Sequence, residues 1–301
     1  MNASHASGDT AHRPALLDAP WRTPGLLMII GGADRLDPDA SLARLFLHLV
    51  DRASSNSHLR DIVLVSTATR HPEILTGEYI RILGRLGIPS DRIFAPLIRN
   101  RDEAHDSENA RLLAGAAGIF ITGGDQYALT QALDHTPCEE AMMESYRQGG
   151  IIAGTSAGAT AMGRPMIVAG GGNGELRMGM VQSSHGLGWA GNDIIIDTHF
   201  GARGRFPRLA SAVAEHPAAL GVGIDENTCL LVSEGGHCVV EGSGVIYFVD
   251  ATHAEINSTR HARTGEPVTI GTLRVDIVSA GGAYSLGERR ASLAIEHSLE
   301  V

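Results

Sequence analysis

Leu26-Leu27-Met28-Ile29-Ile30-Gly31-Gly32 is the stretch on which the fold turns. An unbroken apolar run of strand length, closed by a glycine pair, reads as one buried strand and the turn that ends it. The same reading extends outward along the chain. Asp39 to Val50 places Leu42, Leu45, Phe46 and Leu49 at helical spacing. Ile62 to Val65 is a second strand, and Pro72 to Leu86 a second helix with proline at its start. Arg92 to Ile98 reads as a third strand and Ser107 to Ala114 as a helix. Gly118 to Thr122 is a fourth strand ending in Gly123-Gly124; Glu139 to Gln148 is helical and Ile151 to Ala153 is a short fifth strand. This alternation, with continuously apolar strands, predicts a doubly wound α/β fold whose mostly parallel sheet is covered on both faces. Ligands of such open sheets bind beyond the carboxyl ends of the strands. The glycine pairs 31–32 and 123–124 and the loop after Ala153 all fall there. After about residue 230 short strands with glycine turns take over (Val239-Val240, Val245 to Val249, Leu273 to Val278), which predicts an antiparallel extension of the same domain.

Composition narrows the function classes. The chain has 301 residues with 43% hydrophobic and 19% charged, which is ample for a core and ordinary for a globular protein. No apolar run approaches the ~18 residues of a membrane span. The formal net charge of −10 and 13 aromatics (6 Phe, 2 Trp, 5 Tyr) argue against nucleic acid as a partner. All 24 basic residues are Arg. Without Lys there is no P-loop lysine, no Schiff base and no kinase lysine. Cys138, Cys229 and Cys238 have neither disulfide-framework nor zinc-ligand spacing, and no metal or organic cofactor is expected. Residues 1–20 carry no secretory signal and are expected to be a flexible tail before a single domain, 21–301, in the cytoplasm.

Gly154-Thr155-Ser156-Ala157-Gly158 follows the fifth strand and precedes a run of small residues. A serine on a tight strand-to-helix turn is exposed at the sheet end, and small neighbours let the backbone turn and a substrate approach. The Ala157 N–H would face a developing oxyanion. A nucleophilic serine needs a base and a group to orient that base. Among 14 histidines, His199 emerges from the strand Ile194-Ile195-Ile196 within Asp197-Thr198-His199-Phe200. Gly223-Ile224-Asp225-Glu226-Asn227-Thr228 offers two acids at the end of another strand, and spacing alone does not choose between them. Arg203, Arg205 and Arg208 follow His199 closely and suggest planar capture of a carboxylate or phosphate. Gly170-Gly171-Gly172-Asn173-Gly174 lacks the following Lys of a phosphate loop and carries Glu175 instead; it reads as a flexible loop near the site.

In order and approximate spacing these segments, with Thr122-Gly123-Gly124-Asp125-Gln126 and Ile30-Gly31-Gly32-Ala33, resemble the cyanophycinases, over about residues 25–233. The resemblance implies the class I glutamine amidotransferase-like (flavodoxin-like) variant of the α/β sheet. It implies Ser156 as nucleophile, His199 as base and Glu226, not Asp225, as orienter. Backbone N–H groups of Ala157 and Gly124 would hold the oxyanion. Gln126, Asp197, Thr198, Arg203, Arg205 and Arg208 would line the substrate pocket, Thr198 standing where some relatives have a longer residue such as Gln. The implied substrate is cyanophycin, polyaspartate with arginine on each side-chain carboxyl, cut by an exopeptidase into β-Asp-Arg dipeptides; a homodimer is implied as well. The arginine-bearing segment separates this reading from an aspartyl dipeptidase of the same peptidase family. Intact Ser156, His199 and Glu226 count against a non-catalytic anion-binding module, and Ser in place of Cys at the turn counts against a glutamine amidotransferase.

Overall fold

The computed structural model describes residues 23–36, 39–171 and 176–293. The expected tail, 1–20, and Gly172, Asn173 and Gly174 of the glycine run lie outside the described residues. The first half alternates strictly: β1 (Leu26–Ile30), α1 (Ser41–Asn56), β2 (Arg60–Val65), α2 (Pro72–Arg85), β3 (Ile93–Phe94), α3 (Ser107–Ala114), β4 (Ala116–Ile121), α4 (Gln126–Leu133), α5 (Pro137–Arg147), β5 (Ile151–Thr155) and a short α6 (Ala157–Thr160). A hairpin follows, β6 (Met166–Gly170) and β7 (Val181–Ser184), then β8 (Ile194–Asp197), α7 (Phe206–Glu215) and β9 (Leu220–Ile224). The rest is β: β10 (Thr228–Val232), β11 (His237–Gly242), β12 (Val245–Asp250), the two-residue strands β13 (Ile256–Asn257) and β14 (Ile270–Gly271), β15 (Arg274–Ser279), β16 (Gly282–Ser285) and β17 (Arg290–Leu293).

The central sheet has nine strands in the order β17-β16-β11-β10-β1-β5-β4-β2-β3. From β1 to β3 every pairing is parallel, and from β1 to β17 every pairing is antiparallel. The run β3-β2-β4-β5 repeats the 2-1-3-4 order of a flavodoxin-type sheet, with β1 in the fifth place. Side chains of β1 alternate between two cores. Met28 and Ile30 pack with Leu42 and Phe46 of α1 and Tyr79 and Ile82 of α2. Leu27 and Ile29 pack with Leu113 of α3 and with Met142 and Tyr146 of α5. Helices thus cover both faces, as the unbroken apolar strands require.

The antiparallel extension divides between two sheets. Strands β10, β11, β16 and β17 lengthen the central sheet, while β12 and β15 join β8 and β9 in a second sheet of order β15-β12-β9-β8. One face of that second sheet (Ile194, Ile196, Val222, Ile224, Ile246, Phe248) shares the core of Leu27 and Ile29. Its other face, including Ile195 and Val249, packs on Leu209 and Val213 of α7. The third strand is shorter than the sequence predicts, Ile93–Phe94 at the sheet edge. Pro96 has no N–H for a ladder, which ends the pairing. Among the described residues no helix is long and apolar enough to cross a membrane.

The close seat of α1 on β4 depends on Gly118, where an added Cβ would overlap Val50 and lie 2.8 Å from Phe46 Cζ. Gly118→Ala is expected to destabilise by about 1–3 kcal/mol through overpacking. Urea unfolding checks this: the midpoint falls and the slope stays the same.

Candidate active site

The carboxyl ends of β1, β5 and β8 and the turn between β9 and β10 converge on one place. Ser156 leaves β5 with φ 53° and ψ −110°, left-handed backbone that a serine adopts only under constraint. Its N–H donates to the Ile30 carbonyl at 3.1 Å. The flanking glycines leave room for the turn: a Cβ on Gly154 would lie 2.6 Å from Met162 Cε, and one on Gly158 would lie 2.6 Å from the Ile121 carbonyl oxygen. His199, also at positive φ (51°), donates its N–H to the Gly31 carbonyl at 2.8 Å.

These anchors bring three side chains into line. Ser156 Oγ lies 2.9 Å from His199 Nε2, and His199 Nδ1 lies 2.6 Å from Glu226 Oε1. With the imidazole protonated at Nδ1, that nitrogen donates to Glu226 and Nε2 is free to accept the serine proton. The His199 side chain is 12% exposed and that of Glu226 39%, so the carboxylate stands at the wet edge of the site. Burial depresses the His199 pKa first; the hydrogen bond to Glu226 opposes this, and the charges of Arg203 and Arg205 depress it further, leaving it below the ordinary imidazole value.

The neighbouring acid has another task. Asp225 Oδ1 accepts the Gly201 N–H at 2.8 Å and its Oδ2 accepts the Val245 N–H at 3.3 Å, which fastens the turn that follows His199. The geometry therefore distinguishes two adjacent acids that spacing does not: Glu226 faces the imidazole and Asp225 holds backbone.

Gly123 and Gly124 lie beside the serine turn. A Cβ on Gly123 would be 3.3 Å from Ser156 Cβ, and Gly124 is at φ 148°. Among the described residues the N–H groups of Gly124 and Ala157 have no hydrogen-bond partner. Gln126 opens α4, capped by Asp125, and its amide donates to the Ile167 carbonyl of β6 at 2.8 Å. Thr198 is buried, with its carbonyl accepting from Arg205 Nη1 at 2.6 Å.

The arginines divide in two. Asp197, at the end of β8, is 0% exposed. Its carboxylate accepts from Arg205 Nη1 at 3.1 Å and from Arg208 Nε at 2.8 Å, with a second bond from Arg208 Nη2. It is enclosed by the two guanidiniums and does not reach the surface. Burial lowers the Arg205 pKa, Asp197 raises it, and Arg208 and Arg203 lower it. Arg203 is exposed on the turn that Asp225 fastens, and has no carboxylate partner among the described residues. Gly171, at φ 77°, packs on the Arg208 stem, so the first glycines of the loop border the cluster.

Other groups have local explanations. The potential ligand atoms of Asp134, His135 and Glu139 lie within 4.8 Å of one another. Glu139, however, accepts the His135 N–H at 2.5 Å and the Trp189 indole N–H at 3.1 Å, and so serves the start of α5. A cavity of about 580 Å³, lined in part by Arg164, Asp193, Glu215 and His216, opens at the far end of β8 from His199.

Sequence reading missed the contact made by Gly32. A Cβ there would overlap the His199 ring, and φ is 104°. Gly32→Ala is expected to displace the imidazole and slow labelling of Ser156 by a fluorophosphonate about 10²-fold, the scale of a ~1 Å misplacement. Mass spectrometry of the labelled protein against time checks it.

Comparison with known proteins gives the family. The model of peptidase family S51 matches residues 27–240. The chain is 37% identical over 278 residues to a cyanophycinase of Trichormus variabilis, covering 92% of this chain and 90% of that one. It is 35% identical over 263 residues to a cyanophycinase of Synechococcus elongatus, covering 87% and 79%. In fold it is similar to a crystallised peptidase from an acI-B1 Actinobacterium, with TM-score 0.66 and 22% identity over 88% of this chain and 98% of the other. The matched stretch takes in the serine turn, the His199 segment and the acid-bearing turn before β10, and the chain belongs to peptidase family S51.

Proposed function

We propose that this peptidase is a cyanophycinase, a serine exopeptidase that releases β-Asp-Arg dipeptides from the arginine-bearing polyaspartate. The observation that carries the reading is the unbroken line from Ser156 Oγ through His199 to Glu226, set beside an arginine cluster. A polymer with carboxylates and guanidiniums in each repeat needs both the nucleophile and the cations next to it.

In this mechanism Ser156 Oγ attacks a backbone carbonyl between aspartates while His199 Nε2 takes its proton. Glu226 holds the Nδ1–H and stabilises the imidazolium. The N–H groups of Ala157 and Gly124, otherwise without partners among the described residues, receive the oxyanion. The tetrahedral intermediate collapses, His199 gives its proton to the leaving amine, and an acyl-enzyme remains. Water then attacks the ester with His199 again as base, and Ser156 recovers its proton. Arg203, exposed and close enough to influence His199, meets the substrate carboxylate. Arg205 and Arg208, half neutralised by Asp197, extend the positive surface, and Asp197 fixes their planes. Gln126 borders the pocket, and the buried Thr198 acts behind it by holding Arg205 through its carbonyl. No metal or cofactor takes part in the scheme. The reading includes a homodimer in the cytoplasm, supported by the likeness to cyanophycinases alone.

Purified chain incubated with cyanophycin is expected to release β-Asp-Arg, identified by mass spectrometry, and Ser156→Ala to lose at least ~10³-fold in rate. Release by Ser156→Ala at the parent rate rejects the mechanism. Hydrolysis of small aspartyl dipeptides but not the polymer would point instead to a dipeptidase.

The pH profile gives a second test. His199 accepts a proton only when neutral, so kcat/KM rises with pH along an acid limb set by the free-enzyme imidazole. That limb lies below the ordinary imidazole value because burial and the two arginines outweigh Glu226. Arg203→Met removes one depressing charge, so the limb moves to higher pH. A limb that stays in place or moves down contradicts the electrostatic account.

A further inference from the structure

We infer that Asp34 is a positioning residue for the reactive serine, acting through Thr155. This rests on the assignment of Ser156 as nucleophile. Thr155 is the last residue of β5, is 3% exposed, and immediately precedes Ser156. Its hydroxyl donates to Asp34 Oδ1 at 2.5 Å. The other carboxylate oxygen, Oδ2, accepts from the Tyr79 hydroxyl of α2 at 2.9 Å. The Tyr79 ring is itself fixed against Phe120 of β4, with centroids 4.7 Å apart. The carboxylate is thus clamped between a helix anchored on the core and the strand end that launches the nucleophile. Burial and the Asp34 charge hold the Tyr79 phenol well above its ordinary range, so it remains a donor.

The need for such a clamp follows from the backbone. Ser156 at φ 53° and ψ −110° relaxes unless both sides of the turn are held. The Ser156 N–H, bound to Ile30, fixes the main chain; the Thr155 hydroxyl, bound to a charged acceptor, fixes the residue before it. Asp34 also follows closely on Gly32, which abuts the His199 ring. One short segment therefore sets both the base and the approach to the nucleophile. Asp34 touches none of the reacting atoms of the scheme, so its loss affects the chemical step more than substrate binding.

The test is a cycle on the full chain, read as kcat and KM on cyanophycin and as the fluorophosphonate labelling rate of Ser156. Thr155→Val is expected to lower kcat and the labelling rate about tenfold with KM within about twofold, and Thr155→Ser to restore both. Asp34→Ala should match Thr155→Val, and the double variant should be no slower than either single one. Parent-level kcat in Thr155→Val, with only Tm lowered, overturns the inference, as do losses that multiply in the double variant. Where Asp34→Ala does not fold, the Val and Ser variants of Thr155 decide alone. Ser156→Ala, run alongside, separates the failures. If it is inactive while Thr155→Val is unimpaired, only the role of Asp34 falls; if it is active, the assignment of the nucleophile falls.

Discussion

The site depends on the backbone at the end of β1. Three consecutive carbonyls, those of Ile30, Gly31 and Gly32, accept from the N–H groups of Ser156, His199 and Asn227 at 3.1, 2.8 and 2.9 Å. The Gly31 N–H in turn donates to Thr228 at 2.9 Å. Segments far apart in the chain are thus aligned by bonds to one turn. Each acceptor binds a residue at positive φ: 53° for Ser156, 51° for His199 and 51° for Asn227. Left-handed backbone at a non-glycine residue costs of order 1–2 kcal/mol, and three such residues at one turn are held because buried strands stand behind them. The turn must be glycine, since a Cβ on Gly31 would overlap the Asp225 carbonyl and one on Gly32 the His199 ring.

This hub explains how much of the site is legible in sequence. A glycine pair after an apolar run, a serine between glycines after another and a histidine just past a third are all local patterns, and all three positions fall at strand ends in space. The choice between Asp225 and Glu226 was not local. Adjacent residues leaving a strand point to opposite sides, and which side faces His199 depends on how β9 sits against β8, a relation carried by long-range pairing. Asp34 was invisible for the same reason: its partners, Tyr79 and Thr155, are distant in sequence.

The fold follows the same division. Both cores flanking β1 follow from the unbroken apolar strands, because a strand with no polar face must be covered twice. Helix α4 does leave a local signal in the sequence: Asp125 caps it and Ala128, Leu129, Ala132 and Leu133 follow helical spacing. The second sheet left none. Strands β8, β9 and β12 are as apolar as those of the central sheet, and apolar content alone does not name a pairing partner.

Charge around His199 reconciles two demands that would otherwise conflict. The proposed substrate, rich in carboxylates, calls for cations, and cations beside an imidazole resist its protonation. For the base of the proposed mechanism, which must begin neutral, this second effect is useful, and burial works in the same direction. In the proposed mechanism Glu226 stabilises the imidazolium once the proton has moved; in the resting state its hydrogen bond and charge raise the His199 pKa, and burial together with the arginines more than offsets them. Asp197 limits the positive field from below: it is fully buried, binds the inner pair of arginines, and leaves the exposed Arg203 as the charge nearest solvent. The arrangement is graded from a compensated interior to an uncompensated rim, so the cation most able to meet an incoming carboxylate also has the largest depressing effect of the arginines on the imidazole.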